Sequence, residues 1–239
     1  MTQVIQMISG PRNISTAMLY SFDSRDDCVG MDEPFYGYYL RKSIDQNHPG
    51  REEIINDLPL TLDSILDGIS MQMGNTPYLF IKNMAHHIYN LPLDWAEDYK
   101  NSLLIRDPRR VLASFTKVIT NPVASDIGII QEWEIYKQLT DLGQQVPIID
   151  TDQLLINPEH GIMSLCSALD IPYQTQMLTW KAGPRSIDGI WAKHWYDKVH
   201  QSDGLKTIIA KPLPTLSPKL QVICDEVMPY YEELKKLAL

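Results

Sequence analysis

Cations and hydroxyls placed where a strand gives way to a helix are suited to hold phosphate- or sulfate-like anions. The first helical turn carries N–H groups without intrahelical partners and the positive end of the dipole. The sequence has two such places. In the first, the apolar run Val4-Ile5-Gln6-Met7-Ile8 ends at Ser9-Gly10-Pro11, and Arg12-Asn13-Ile14-Ser15-Thr16 leads into a helical stretch. Gly10 permits a tight turn, Arg12 supplies a fixed charge, and Ser15 and Thr16 supply hydroxyls. A plain turn before a capped helix would read the same way. The nucleoside-triphosphate pattern GxxxxGK[ST] is not met, since neither a second Gly nor a Lys precedes Ser15. That argues against a kinase or ATPase.

The second place is Leu103-Leu104-Ile105-Arg106-Asp107-Pro108, continuing through Arg109-Arg110 to Ser114. Asp107 is a good N-cap and Pro108 a good first helical residue. Ser114 then falls about two turns further on, over the same face as Arg106. A guanidinium beside a hydroxyl grips one phosphate, the Arg giving two parallel hydrogen bonds. The alternative pairs Arg106 with Asp107 and leaves Ser114 an ordinary helical serine.

Group transfer onto a hydroxyl or amine needs a base. Glu33, in Met31-Asp32-Glu33-Pro34-Phe35, follows a short strand and faces the first loop; His86 and His87 follow another strand that ends at Lys82. Lys82 is placed to neutralise a transferred anionic group. Asp32 either orients Arg12 or caps a helix. Adjacent His86 and His87 lack the i, i+4 spacing of a helical zinc pair, so no metal is expected. No GxSxG elbow is present, which argues against an α/β-hydrolase.

The elements that must position these residues alternate. Strands are predicted over 4–8, 28–31, 78–82, 102–105 and 146–149, with Pro147 suiting the start of the last. Helices are predicted over 15–24, 35–40, 60–69, a short stretch through His86, 107–118, 129–142, 157–169 and 217–237, with Asn47-His48-Pro49-Gly50 as a breaker. Alternating strands and helices imply βαβ units and a parallel sheet covered on both faces. No repeat or linker divides the 239 residues, so one domain over 1–239 is expected.

Composition narrows the partners. With 44% hydrophobic residues the chain can fill a core, and its net charge of -9 argues against nucleic acid, which demands a broad basic face. No apolar run reaches the roughly 20 residues of a membrane span, and no basic, cleavable leader precedes Val4. Cys28, Cys166 and Cys224 are widely spaced and without a CxxC pair, as buried thiols of a reducing compartment would be. A cytoplasmic protein without membrane contact is expected.

The two anion loops together resemble the donor-binding loops of the sulfotransferase superfamily, which uses 3'-phosphoadenosine 5'-phosphosulfate as co-substrate. The resemblance implies that Gly10, Pro11, Arg12, Asn13, Ser15 and Thr16 hold the 5'-phosphosulfate, and that Arg106 and Ser114 hold the 3'-phosphate. Arg12 stands where cytosolic members usually carry Lys. In direct register Lys82 matches a family Lys, and Met84 falls where the family places a catalytic His. The late segment Gly183-Pro184-Arg185-Ser186-Ile187-Asp188-Gly189-Ile190-Trp191-Ala192-Lys193-His194-Trp195-Tyr196 is similar to a loop that closes over the 3'-phosphate and adenosine, with Arg185 carried over. Its local pattern differs from the usual Arg-Lys-Gly. Trp191 and Trp195 either stack there or pack in the core. The chain looks like a bacterial and plant subgroup, some of whose members are fused to aminotransferase-like domains.

Such a resemblance carries with it an α/β fold, a three-layer α/β/α sandwich with a central parallel sheet and P-loop nucleoside triphosphate hydrolase-like topology. The implied activity is transfer of a sulfuryl group to a small hydroxyl- or amine-bearing acceptor, without a metal. Glu33 ranks first as base, His86 second and His87 third, with Arg12 and Lys82 stabilising charge. Two alternatives stay open: a non-catalytic nucleotide- or partner-binding protein of this fold, and a nucleotide-dependent kinase with a degenerate phosphate loop.

Overall fold

The first strand is apolar on both of its faces, so both must be covered. In the computed structural model, which describes residues 2–43, 48–74 and 76–239, Val4 and Ile8 of strand β1 (Gln3–Ser9) face one apolar cluster and Ile5 and Met7 the other. The strands β2 (Cys28–Asp32), β3 (Tyr78–Met84), β4 (Lys100–Ile105) and β5 (Ile148–Asp150) join it in the order β2-β3-β1-β4-β5, every pair parallel. Helices Leu62–Gln72, Pro108–Phe115, Ile129–Asp141 and Pro218–Lys236 cover one face; Ser15–Asp23 and Pro158–Ala168 cover the other. This is the three-layer α/β/α sandwich expected from the alternation of elements.

Parallel register brings the strand ends level. Ser9 pairs with Met84 and Leu104, Asp32 with Lys82, and Ile105 with Asp150. The loops leaving these ends therefore meet at one edge, where the order reverses around β1 and ligands of such sheets bind.

A row of amides crosses this sheet on the face otherwise filled by Val4 and Ile8. Asn83 Nδ2 donates to Gln6 Oε1 (2.7 Å), Gln6 Nε2 to Asn101 Oδ1 (2.7 Å), and Asn101 Nδ2 to Gln144 Oε1 (2.7 Å). Each amide answers the next, which is what allows polar groups to be buried in a core.

The structure differs from expectation at element ends. β3 runs on to Met84 because Asn83 and Met84 keep pairing with β1. The helix after Arg106 stops at Phe115 rather than Val118; Thr116 Oγ1 turns back onto the Leu112 carbonyl (2.9 Å) and a β-branched stretch follows. β5 starts at Ile148, since Pro147 has no N–H to give the ladder. Helices Arg51–Asp57, Thr151–Ile156, Ala192–Trp195 and Asp197–His200 went unpredicted. Of the expected breaker, Asn47 lies outside the described residues, while Gly50, at φ 72°, begins the helix Arg51–Asp57. The cysteines are buried and unbonded, and no described helix is long and apolar enough to cross a membrane.

Candidate functional site

The loop after β1 adopts a conformation its residues do not favour. Arg12 (φ 63°) and Ile14 (φ 59°) are both left-handed, which for side chains with Cβ costs roughly 1–2 kcal/mol each. The surroundings impose it. Asn13 Nδ2 donates to the Leu104 carbonyl (2.9 Å), Thr151 Oγ1 to the Asn13 carbonyl (3.1 Å), and Arg106 Nη1 to the Arg12 carbonyl (2.7 Å). Helix Ser15–Asp23 makes its first intrahelical bond from Met18 N to Ile14 O (3.1 Å) and takes no side-chain cap. The N–H groups of Ser15, Thr16 and Ala17 precede that bond, so this end offers unpaired donors of the kind that suit an anion.

Gly10 serves packing as well as the turn expected of it. Its N–H donates to the buried Glu132 carboxyl, and a Cβ would come 2.4 Å from the Ile127 carbonyl. Tight packing, rather than close approach to a ligand, requires glycine here; Pro11 to Ala17 line the cleft and Gly10 does not. Burial pushes Glu132 well above the usual carboxylate range, only partly opposed by the Gly10 N–H.

The two anion loops converge. Arg12 Nε donates to Ser114 Oγ (3.1 Å), while Arg106 reaches from β4 to the Arg12 carbonyl. Arg106 is not paired with Asp107, whose carboxylate caps Arg109 N (2.9 Å) and holds the Arg109 guanidinium. Instead Arg106 Nε lies 3.7 Å from Asp152, which Arg110 Nε also contacts at 2.9 Å. Arg12 has no carboxylate partner among the described residues. Burial, and then the nearby Arg106, lowers the Arg12 pKa; burial is the main influence lowering Arg106, with Asp152 opposing it. Positive charge is therefore in excess beside a helix N-terminus, which suits a multiply charged anion.

Across the cleft, neighbouring β2 and β3 assemble a buried charge cluster. Lys82 Nζ contacts Glu33 Oε1 (2.6 Å), Asp32 Oδ1 (2.9 Å), Tyr196 OH (2.6 Å) and Thr16 Oγ1 (3.2 Å). Asp32 thus neither orients Arg12 nor caps a helix; it also accepts from Tyr196 OH (2.7 Å) and Gly189 N (3.2 Å). Burial disfavours the Lys82 charge, but Asp32 and Glu33 outweigh it and raise its pKa. Glu33, at φ 41°, is pushed up to about 7 by burial, with Lys82 pulling down and Asp32 adding to the rise. A carboxylate poised there can exchange a proton near neutral pH.

His86 and His87 sit beyond this cluster. Burial first, then His48, lowers His86 to about 4; burial, then His86, holds His87 well below the ordinary imidazole value. Both are held in the neutral form a base must have, but with weakened basicity compared with an ordinary imidazole. They join Tyr36, Tyr39, Tyr89 and Trp195 along one wall of a cleft of about 890 Å³ that Arg12, Ser15, Thr16, Glu33, Lys82, Arg106 and Ser114 also line. Trp191 is 2% exposed and packs with Tyr36 and Leu40, in the core rather than in the cleft.

Arg185 is the clear misplacement. It pairs with Asp23 (2.7 Å) and Ser24 Oγ (3.1 Å) and lies over Tyr20, at the opposite end of helix Ser15–Asp23 from the anion loop. The residues that sequence reasoning missed are Tyr196, Asp152 and Glu132. Tyr196 stands at the end of the tryptophan-bearing segment singled out for its aromatics, which was the available signal; nothing local marked the two acids.

The family model described as Sulfotransferase domain matches residues 3–238. Two proteins of Arabidopsis thaliana, Branched-chain-amino-acid aminotransferase-like proteins 2 and 1, are each 33% identical over 235 residues, 98% of this chain but 41% and 42% of their own lengths. The chain spans about two-fifths of these relatives. Among solved structures, a sulfotransferase from Alicyclobacillus acidocaldarius aligns with TM-score 0.58 at 12% identity, covering 99% of this chain and 95% of its own. The sulfotransferase domain from the curacin biosynthetic pathway aligns with TM-score 0.54 at 15% identity, covering 95% and 98%. These likenesses carry the fold, and the match across nearly every residue carries the kinship: the chain belongs to the sulfotransferase domain family.

Proposed function

We propose that this chain transfers a sulfuryl group from 3'-phosphoadenosine 5'-phosphosulfate to a small acceptor. The observation that carries the reading is the meeting of Arg12, Arg106 and Ser114 in the same cleft as Glu33 and Lys82. The donor set fits a doubly anionic nucleotide: N–H groups of Ser15 and Thr16 with Arg12 for the 5'-phosphosulfate, Arg106 and Ser114 for the 3'-phosphate.

Glu33 takes the acceptor's proton as the acceptor atom bonds to sulfur, and the bond from sulfur to the 5'-phosphate oxygen breaks in line. Arg12 and Lys82 balance the charge left on that oxygen. Once Glu33 is neutral its hold on Lys82 weakens, while Asp32 and Tyr196 keep the ammonium in place. A sulfuryl group carries less charge than a phosphoryl group, so side-chain cations suffice.

Incubation with the sulfur-labelled donor and a panel of small alcohols, phenols and amines tests this. Labelled product with wild type, and its loss in Glu33→Gln, is expected. A nucleotide-binding protein without transfer activity is the second reading. It is favoured by one observation: Lys82 already touches Asp32, Glu33 and Tyr196. Donor binding without product over the whole panel would select it.

A further inference from the structure

Lys82 has more partners than it can serve. A protonated ammonium carries three N–H bonds, yet four oxygens surround this one. It donates to Tyr196 OH (2.6 Å), Asp32 Oδ1 (2.9 Å) and Thr16 Oγ1 (3.2 Å), and Glu33 Oε1 lies at 2.6 Å as its ion partner. Two of these partners are fixed by each other. The Tyr196 hydroxyl gives its single hydrogen to Asp32 Oδ2 (2.7 Å) and takes the Trp191 Nε1–H (3.1 Å) beside that of Lys82. The Gly189 N–H (3.2 Å) completes Asp32. Lys82 and Tyr196 are both buried, so a partner lost by either counts in full. The third N–H is contested between Glu33, at the end of β2, and Thr16, in the first turn of helix Ser15–Asp23.

We propose that Tyr196 is a positioning residue for the transfer: with Asp32 it occupies two N–H bonds of Lys82, so that the third is a switch that leaves Glu33 for the anion beside Thr16. The inference rests on the transfer reading and deepens it. Before an anion arrives, the third N–H steadies the Glu33 carboxylate. An anion at the helix N-terminus draws that N–H to itself, and Glu33, short of a donor, holds a proton more firmly. During transfer the same exchange runs with the chemistry. The acceptor's O–H or N–H bond breaks with its proton passing to Glu33, and the acceptor atom bonds to sulfur. The S–O bond to the 5'-phosphate breaks with its electron pair leaving on that oxygen, where the released N–H meets it. Lys82 keeps its three protons throughout. Without the Tyr196 hydroxyl a second N–H is free, one serves each side, and base and leaving group are no longer linked.

Proton uptake reads the switch without any turnover. Adenosine 3',5'-bisphosphate is bound to the full chain at pH 7.5 by calorimetry in buffers of different ionisation enthalpy. Glu33→Gln is measured alongside to subtract the ligand's own titration. The groups around Glu33 are Lys82, Asp32, Tyr36 from helix Tyr36–Lys42, and His87 after β3. Burial keeps His87 neutral and the Tyr36 phenol protonated, which leaves Glu33 to titrate near 7. Wild type is expected to take up about half a proton more than Glu33→Gln. Tyr196→Phe should lower that difference at least twofold, because Lys82 then serves Glu33 and the anion together. Trp191→Phe removes the neighbouring indole N–H without changing the Lys82 count, so the difference should persist; a merely structural disturbance would move both. No difference in wild type, one that Tyr196→Phe leaves intact, or one that Trp191→Phe lowers equally overturns the inference while bisphosphate binding stands. Failure of the bisphosphate to bind overturns the transfer reading, and the inference with it. Should Tyr196→Phe fail to fold, the double variant Tyr196→Phe/Trp191→Phe, with no indole N–H left unmatched, replaces it. Should both fail, the wild-type difference decides.

Discussion

In the proposed transfer the chemistry turns on Glu33, and its environment makes opposing demands. Burial raises its pKa to about 7, while Lys82 at 2.6 Å pulls it down and Asp32 pushes it up. Because a base acts when deprotonated, transfer activity is expected to climb between pH 6 and 8 with a limb near 7. Glu33→Gln should remove that limb and cost about 10²–10⁴ in rate, the usual worth of general base catalysis; a pH–rate profile of both proteins checks it. Lys82→Met should leave Asp32 and Glu33 buried without their cation, a loss of about 3–5 kcal/mol readable by denaturant unfolding. The sequence showed Glu33 and Lys82 individually through their strand-end positions. It did not show Tyr196, because the contact joining it to Lys82 spans 114 residues and no periodicity reports such a meeting.

At the scale of elements, the anion loop is held in strained form by what packs behind it. Gly10 is pinned to Glu132, whose burial-raised pKa means that the folded carboxyl keeps its proton to higher pH than the unfolded one. Stability from this group is full below the ordinary Glu value and falls as pH rises through the folded one. Glu132→Gln should lack that decline, so its melting temperature should gain on wild type as pH is raised from 5 to 8. In the sheet, Gln6→Met keeps volume but strands the Asn83 amide and the Asn101 carbonyl. With about 1–3 kcal/mol per unmet buried group, a loss of about 2–6 kcal/mol is expected in chemical denaturation. All five strands were legible because their apolar runs are short and bounded by turn residues. Helix Thr151–Ile156 was not: it is six residues long, with its Asp150 cap belonging to β5, and carries no amphipathic period. The amide row was equally invisible, since Gln6 looks like a mere interruption until neighbouring strands supply partners.

The whole molecule is a sheet whose level strand ends set two cationic loops and the buried Glu33–Lys82 pair around one cleft. Sequence order and turn chemistry foretold the two loops, since each lies within one strand–turn–helix unit. Arg185 failed for the opposite reason: its place depends on how a late, irregular segment folds back, and Asp23 captured it. The central claim is that residues 12–16 and Arg106 grip opposite ends of a single doubly phosphorylated adenosine. It is tested most directly by calorimetry comparing adenosine 3',5'-bisphosphate with adenosine 5'-monophosphate, in wild type and in Arg106→Ala. Loss of a charge-assisted bidentate contact of about 3 kcal/mol predicts a strong wild-type preference for the bisphosphate that falls by about a hundredfold in the variant, with monophosphate affinity little changed. No preference in wild type, or one that survives removal of the Arg106 guanidinium, would contradict the account.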